Sequence, residues 1–182
     1  MIFKETSIKG AYRIELEKFG DDRGTFARAW CKREFAGQGI DIDMVQANIG
    51  YSRHKNTLRG LHYQLSPHGE GKLVRCTKGA VWDVVLDLRK ESDSYKKWMG
   101  VELREGESEM LYLPPGCAHG YQTLEDHTEI FYLVSEYYAP EAERGVRWND
   151  PRFRIEWKFS ETPILSDKDK VWPDYSESEF EL

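Results

Sequence analysis

The stretch Ala80-Val81-Trp82-Asp83-Val84-Val85-Leu86-Asp87-Leu88 decides the fold class. Side chains alternate between the two faces of a β-strand, so the stretch presents one apolar face and one face that mixes valine with aspartate. The apolar face carries Trp82, Val84, Leu86 and Leu88, and the mixed face carries Val81, Asp83, Val85 and Asp87. The pattern predicts a strand that packs against a hydrophobic core.

Shorter runs of the same kind recur along the chain, and turn residues separate them. We assign as strands Lys72–Cys76, Val101–Leu103, Met110–Leu113, Gly120–Leu124, Glu129–Ser135 and Arg152–Trp157. Helical signal is sparse: two turns over Lys32–Gln38 that end at Gly39, and a short helix over Ser166–Trp172. Many strands at short spacing predict an all-β fold, an antiparallel sandwich or jelly roll with a few short helices.

Length and composition restrict the class of protein. A chain of 182 residues is expected to form a single domain, residues 1–182, with an acidic tail from about Asp174. The net charge of −6 argues against a nucleic-acid partner. Three widely spaced cysteines predict neither disulfides nor a zinc cluster. No run is long and apolar enough for a signal core or a membrane span, so we expect no membrane partner and a cytoplasmic location.

The pattern Pro114-x-Gly116-x-x-His119 is typical of the second motif of cupin barrels. Metal-binding cupins usually carry a His-x-His pair in their first motif, where this chain has His62-Tyr63-Gln64. An amide oxygen is a poor ligand for metals that prefer imidazole. We therefore predict a metal-free barrel, in which His119 is equally well interpreted as a hydrogen-bonded lining residue.

His62 and Lys72 are the first candidates for chemistry. An imidazole can take a proton from a carbon beside a carbonyl, an ammonium can hold the negative charge that results, and Arg59 can bind a phosphate. Gln46 and Asn48 lie shortly upstream in another strand-like run. A half-buried histidine and a surface lysine remain the alternative.

Asp169 and Tyr132 each have two interpretations. Ser166 and Asp169 fit a helix capping box, and on the residues alone this ranks above a role for Asp169 in orienting His62. Tyr132 lies in an apolar strand, where it is either a packed core residue or a phenol that delivers a proton. Arg23 follows two aspartates in a predicted hairpin, where it is either solvated or binds a diphosphate.

Taken together, these segments resemble the dTDP-4-dehydrorhamnose 3,5-epimerase family of nucleotide-sugar cupins. They run in order from about Phe19 to about Pro173, which is nearly the whole chain. The matching segments are Asp22-Arg23-Gly24, Leu58 to Gln64, Gly71-Lys72-Leu73-Val74, Val84 to Arg89, Pro115 to Gly120, Tyr138-Ala139-Pro140 and Leu165 to Asp169.

The resemblance implies an enzyme, an isomerase that inverts C3 and/or C5 of a nucleoside-diphosphate 4-keto-6-deoxyhexose without a cofactor. It implies His62 as general base, Asp169 as its partner carboxylate, Tyr132 as opposing acid and Lys72 as the cation near the 4-keto oxygen. It also implies a jelly-roll homodimer with strand exchange. The positions that line the nucleotide-sugar site would be Arg23, Gln46, Asn48, Arg59, His119, Tyr138, Glu143 and Lys168.

The chain departs from the family pattern at Arg28, at Ala47 and in the loop from Gly50 to Thr57. We expect Arg28 to assist in binding the diphosphate, while the identity of nucleotide and sugar stays open. The alternatives are an epimerase that inverts one carbon only, a metal-dependent cupin isomerase or oxygenase, and a sugar-binding cupin without activity. The complete set of His62, Lys72, Tyr132 and Asp169 disfavours the last of these.

Overall fold

The computed structural model describes residues 1–177, in which thirteen strands and two short helices follow one another. The strands are β1 (Ile2–Glu5), β2 (Tyr12–Glu15), β3 (Lys18–Asp21), β4 (Gly24–Ala27), β5 (Gln46–Ser52), β6 (Leu58–Gln64), β7 (Lys72–Lys78), β8 (Ala80–Asp87), β9 (Trp98–Arg104), β10 (Glu109–Leu113), β11 (Cys117–Thr123), β12 (Thr128–Val134) and β13 (Glu143–Gly145). The helices are α1 (Lys32–Ala36) and α2 (Asp167–Lys170). The last part of the predicted acidic tail, residues 178–182, lies outside the described residues.

Two antiparallel sheets form the body of the molecule. The six-stranded sheet has the order β1-β2-β10-β7-β12-β5, and the five-stranded sheet has the order β13-β6-β11-β8-β9. Among the described strands, β3 and β4 pair only with each other. The crossed strand order is that of a jelly roll, so the predicted all-β fold class is confirmed.

The main core lies between the two sheets, and β8 shows how the sequence builds it. Val81 and Val85, on the mixed face of β8, pack in one buried cluster with residues of the six-stranded sheet such as Val74, Leu111 and Ile130. The opposite face of β8 is also covered, because a second buried cluster joins its apolar residues to the C-terminal part of the chain. β8 is therefore buried on both faces.

The predicted strand Arg152–Trp157 is wrong, since this segment has no strand structure. Its apolar residues Phe153, Ile155 and Trp157 instead cover the outer face of the five-stranded sheet. A segment that lies across the face of a sheet has no strand edge with which to form a ladder. The indole Nε1 of Trp82 bonds the carbonyl of Glu156 instead, at 3.1 Å.

Both predicted helices are present, and both are shorter than predicted. α1 ends at Ala36 rather than Gln38, and Gly39 follows with a positive φ of 77°. α2 covers four residues, and the Ser166 hydroxyl caps it by accepting a bond from the backbone N–H of Asp169 at 3.1 Å. Within residues 1–177, no helix has the length and apolar character that crossing a membrane requires.

Candidate active site

A cleft between the two sheets contains most of the residues singled out above. Its larger part has a volume of about 360 Å³ and its smaller part about 270 Å³, and His62, Lys72 and Tyr132 line both. A polar cleft of this size between two rigid sheets is a typical small-molecule site. Pro114-Pro115-Gly116 forms the turn before β11, with Gly116 at a φ of 84°, and β11 then brings His119 to the cleft.

The candidate base and acid come from opposite sheets. β6 of the five-stranded sheet carries His62, whereas β12 of the six-stranded sheet carries Tyr132. Tyr132 is paired with Val74 on β7, and Lys72 lies two residues from Val74. Because strand side chains repeat with a period of two, Lys72 and Tyr132 are on the same face of their sheet. The fold thus surrounds one cleft with an imidazole, an ammonium and a phenol.

Asp169 binds the imidazole of His62, with Nε2 and Oδ1 2.5 Å apart. The carboxylate is nearly inaccessible to water, whereas His62 remains about one-third exposed. Burial raises the pKa of Asp169, but hydrogen bonds from His62, Ser166 and Trp172 outweigh it, so its pKa lies below the usual value. An ionised carboxylate only accepts hydrogen bonds, so Nε2 is the donor of this bond, and in a neutral imidazole the lone pair is then on Nδ1.

Asp169 makes both the helix cap and the contact with His62. Its backbone N–H completes the cap with Ser166, while Oδ1 binds His62 and Oδ2 accepts a bond from the Ser166 hydroxyl at 2.9 Å. The cap therefore places the carboxylate, because it fixes the first turn of α2 beside β6. Sequence reasoning ranked the cap first on the residues alone because it could not bring two segments 107 positions apart into contact.

Trp172 is a partner of Asp169 that sequence reasoning missed. Its Nε1 donates to Oδ1 of Asp169 at 3.3 Å, and its ring meets that of His62 edge-on. The spacing was the available signal, since residues three apart are neighbours on a helical turn. With Trp172, three side-chain donors contact the Asp169 carboxylate: His62, Ser166 and Trp172.

Lys72 is buried and forms an ion pair with Glu70, which the sequence analysis also overlooked. Glu70 lies in the turn between β6 and β7 and lines the smaller part of the cleft. The signal that could have identified it is an acidic residue two positions before a lysine that the fold buries. A buried ammonium requires such a partner, because an isolated charge is costly away from water.

Tyr132 is held in its protonated form. Burial raises the pKa of its phenol, the negative charge of Glu70 adds to that effect, and the positive charge of Arg59 opposes it. The phenol therefore carries its proton at neutral pH, as a general acid must.

His119 lines the cleft and also satisfies its alternative interpretation. It is buried, and its Nε2 lies 2.8 Å from Oδ1 of Asp83. This bond explains why the inward face of β8 carries an aspartate. His119 is thus held rigidly at the wall of the cleft.

Arg59 supplies positive charge to the larger part of the cleft. Its Nη2 donates to the carbonyl of Tyr51 at 2.9 Å and its Nε to the Ser52 hydroxyl at 3.4 Å. Within residues 1–177 its recorded partners are neutral, so the guanidinium charge remains available to an anion.

Gln46, Asn48, Tyr138 and Glu143 line the smaller part of the cleft, and Lys168 lines the larger part. Tyr138 donates to Oε2 of Glu143 at 2.6 Å, and Lys168 forms an ion pair with the same oxygen. Gln46 donates to Asn48 at 3.0 Å on β5. The ion pair between Glu143 and Lys168 therefore joins the smaller part of the cleft to the larger part.

Arg23 and Arg28 are not part of this cleft. Arg23 is at the tip of the β3–β4 hairpin, where its side chain is 90% exposed and bonds Asp21 at 2.5 Å. Arg28 follows the hairpin and pairs with Glu34 at 3.2 Å. The structure of one chain does not bring either guanidinium to His62.

The described residues contain no cluster of three or more histidine, cysteine, aspartate or glutamate side chains suited to a metal ion. The two histidines of the cleft each bond a carboxylate on a different element.

Comparison with known proteins identifies the same family as the sequence motifs. Residues 5–177 match the dTDP-4-dehydrorhamnose 3,5-epimerase family. The chain is 41% identical to the dTDP-4-dehydrorhamnose 3,5-epimerase of Sinorhizobium fredii, over 97% of this chain and 91% of that protein.

Solved structures agree with this match. The Bacillus anthracis enzyme of the same name, crystallised with TDP and PPi, superimposes with a TM-score of 0.90 at 40% identity, covering 96% of this chain and all of that one. A 3'-monoepimerase from Streptomyces bikiniensis, in complex with dTDP-quinovose, gives 0.84 at 33% identity, covering 93% of this chain and 85% of that one. With this agreement in sequence and fold, the chain belongs to the dTDP-4-dehydrorhamnose 3,5-epimerase family and is an isomerase.

Proposed function

We propose that this epimerase inverts C3 and C5 of a dTDP-4-keto-6-deoxyhexose by removing a proton from one face of the sugar and returning one to the other. The observation that carries the proposal is the placement of His62 and Tyr132 on opposite sheets around a single cleft. A base and an acid that face each other across a substrate are the minimum required for epimerisation without a cofactor. Family membership and the dTDP-sugar relatives support the substrate class.

Proton removal falls to His62. The hydrogens on C3 and C5 are acidic because each carbon is next to the C4 ketone. Nδ1 of His62 takes the proton, and the buried Asp169 carboxylate stabilises the imidazolium that forms. The electron pair left on carbon moves to the C4 oxygen as an enolate.

Lys72 stabilises that enolate oxygen. Its ammonium lies in a cleft largely shielded from water, where electrostatic contacts are several times stronger than in solution. Tyr132 then donates its proton to the opposite face of the carbon, which inverts the centre. Each group used in this way contributes on the order of 100- to 10,000-fold in rate.

The remaining lining residues position the substrate. We assign the diphosphate to Arg59, whose charge is not neutralised by a carboxylate, and the base or sugar to the exposed ring of Tyr138. Gln46, Asn48 and Glu143 offer hydrogen bonds in the smaller part of the cleft, beside Tyr138, and Lys168 and His119 do so in the larger part, beside Arg59. Remote contacts of this kind hold the reacting carbon in place.

We further propose that the chain, working as one domain, forms a homodimer with strand exchange. The β3–β4 hairpin pairs with no other strand in the part of the chain that the structure describes, and its Phe19 and Phe26 are 70% and 69% exposed. Exposed aromatic rings on an unpaired hairpin favour a protein interface. In this arrangement Arg23 and Arg28 would bind the diphosphate in the partner's cleft.

The cytoplasmic location also stays a prediction.

The decisive experiment is incubation with dTDP-4-keto-6-deoxyglucose in heavy water, with deuterium at C3 and C5 followed by NMR. We expect label at both carbons together with inverted product. Label at neither carbon would contradict the proposal.

Inversion at one carbon only is the second candidate. The similarity to the 3'-monoepimerase of Streptomyces bikiniensis favours it, because the two chains share the fold. Label at C3 alone in the same experiment would identify that activity. If label enters at C3 alone, the positions to mutate to the family residues are those where this chain departs from the family pattern: Arg28, Ala47 and the loop before Leu58.

A further inference from the structure

Glu70 is a carboxylate in the cleft to which the mechanism above assigns no role. Its side chain is only 12% exposed, and it lines the smaller part of the cleft together with His62 and Tyr132. Its one recorded partner among residues 1–177 is the ammonium of Lys72, which is itself 9% exposed. A carboxylate shielded from water within reach of the reacting groups affects them through its charge and through its contact.

We propose that Glu70 is a further positioning residue of this reaction, which anchors the Lys72 ammonium on the wall of the cleft that also carries Tyr132. This inference rests on the function proposed above. A lysine side chain is long and flexible, so its ammonium can point in many directions. The ion pair with Glu70 selects one direction and leaves two of the three N–H donors for the substrate oxygen.

The ion pair between Glu70 and Lys72 also suits the cleft to the binding of a neutral ketone. Glu70 and Lys72 together carry no net charge, so the substrate does not have to compensate an isolated ammonium when it binds. The developing oxyanion then meets donors that are already oriented, which is the condition for effective stabilisation of a transition state.

A second consequence concerns the pH range in which Tyr132 can act. The titratable and charged groups that line the two parts of the cleft around Tyr132 are Arg59, His62, Tyr63, Glu70, Lys72, His119, Tyr121, Tyr138, Glu143, Lys168 and Asp169. After burial, the charge of Glu70 is the largest cause that raises the pKa of Tyr132, and Arg59 lowers it. Replacing Glu70 by a neutral side chain removes the raising charge, so Tyr132 loses its proton at lower pH.

The test compares the whole protein with the variants Glu70→Gln, Glu70→Asp and, as a matched control, Glu129→Gln. Glu129 carries the same charge on the same strand as Tyr132, but Thr77 binds it at 2.8 Å and it does not line the cleft. For each protein, kcat and KM for dTDP-4-keto-6-deoxyglucose are measured from neutral to alkaline pH. The Tyr132 phenol is also titrated by NMR with labelled tyrosine, which requires no activity.

We expect Glu70→Gln to lower kcat by about 10- to 100-fold, as for the loss of a charge-assisted contact, with little change in KM. Its alkaline limb and the Tyr132 titration should both move to lower pH. Glu70→Asp keeps the negative charge but places it one methylene farther from Lys72. Its pH profile should therefore keep the wild-type alkaline limb, and its kcat should lie between those of Glu70→Gln and the wild type. Glu129→Gln should match the wild type.

An unchanged kcat and alkaline limb in Glu70→Gln, or an equal shift in Glu129→Gln, overturns the proposal. If Glu70→Gln does not fold by circular dichroism, wild-type kcat in Glu70→Asp overturns it instead. If the wild type neither inverts the sugar nor exchanges deuterium, the proposed function has failed. The Tyr132 titration then decides the role of Glu70 separately: a shift in Glu70→Gln supports the charge coupling, and no shift contradicts it.

Discussion

At the scale of single residues, the site depends on carboxylates that determine what a neighbouring base or cation can do. Asp169 directs a histidine, Asp83 fixes a second histidine, and Glu70 binds the lysine. Each carboxylate is buried or nearly so, and each partner faces the cleft. Because a buried charge interacts strongly with its neighbours, removing any one of them should change reactivity more than it changes the shape of the cleft.

His62→Ala tests the base. We expect it to abolish deuterium exchange at C3 and C5, because alanine has no group that can accept the proton from the sugar carbon. Binding of dTDP, followed by calorimetry, should stay close to the wild type. Exchange at the normal rate in His62→Ala would mean that another group removes the proton.

Asp169→Asn tests the partner carboxylate. An amide cannot stabilise an imidazolium as a carboxylate does, so kcat should fall by about 100-fold or more while KM changes little. The pH profile of kcat/KM supplies the control, since its acid limb should move to lower pH when the negative charge beside His62 is lost. A profile with an unchanged acid limb would contradict the coupling of His62 to Asp169.

Tyr132→Phe tests the acid. The variant keeps the ring that packs against the core but removes the donated proton. Inversion should therefore fall more than wash-in of deuterium at the original face, because His62 and Lys72 still form the enolate. Equal losses of inversion and exchange, measured by NMR in the same sample, would argue against this role.

At the scale of elements, α2 and the residues after it hold Asp169 against β6. Trp172 lies against Gly145 of β13, where an added Cβ would come within 2.3 Å of the indole ring. β13 pairs with β6 so that Gly145 is opposite His62. The absence of a side chain at position 145 therefore lets Trp172 approach and donate to Asp169.

Gly145→Ala should disturb this contact. Crowding of the indole is expected to cost about 1–3 kcal/mol of unfolding free energy and to lower kcat by displacing α2 from His62. Thermal unfolding and kinetics measure the two effects. The double variant Gly145→Ala with Trp172→Ala relieves the crowding, so the two changes should be far from additive. Additive effects on stability would contradict the proposed contact.

At the scale of the whole molecule, the β3–β4 hairpin determines whether one chain is sufficient. It carries Arg23, which the family resemblance assigns to the substrate, yet Arg23 is not among the described residues that line the cleft of its own chain. The two facts agree if the hairpin serves a second copy of the chain. Assembly would then be a condition for full activity.

Replacing both Phe19 and Phe26 by serine tests this arrangement. We expect the double variant to dissociate at concentrations where the wild type is a dimer, and to lose activity as the diphosphate contacts are lost. Light scattering coupled to gel filtration gives the mass. Ile2→Ser, which changes an exposed apolar residue on β1, is the control and should remain a dimer. A monomeric wild type with full activity would overturn the arrangement.

The sequence by itself determined the fold class, and it predicted most of the residues that line the cleft in the structure. Alternation in Ala80 to Leu88 and the turns between short strands were sufficient, because the period of two is a local property of the chain. The same alternation led to the wrong strand at Arg152–Trp157, since periodicity cannot separate a paired strand from a segment that covers a sheet.

Only the tertiary structure decided which residues act on one another. The bond between His62 and Asp169 joins a strand to a helix cap far along the chain, and only the three-dimensional structure shows that Asp169 makes both the cap and this bond. Glu70 and Trp172 were missed because their importance comes from burial beside Lys72 and Asp169, not from a motif. The local sequence pattern specifies the strands and helices. Burial and long-range contacts determine how strongly charged groups interact, and therefore what chemistry the cleft can support.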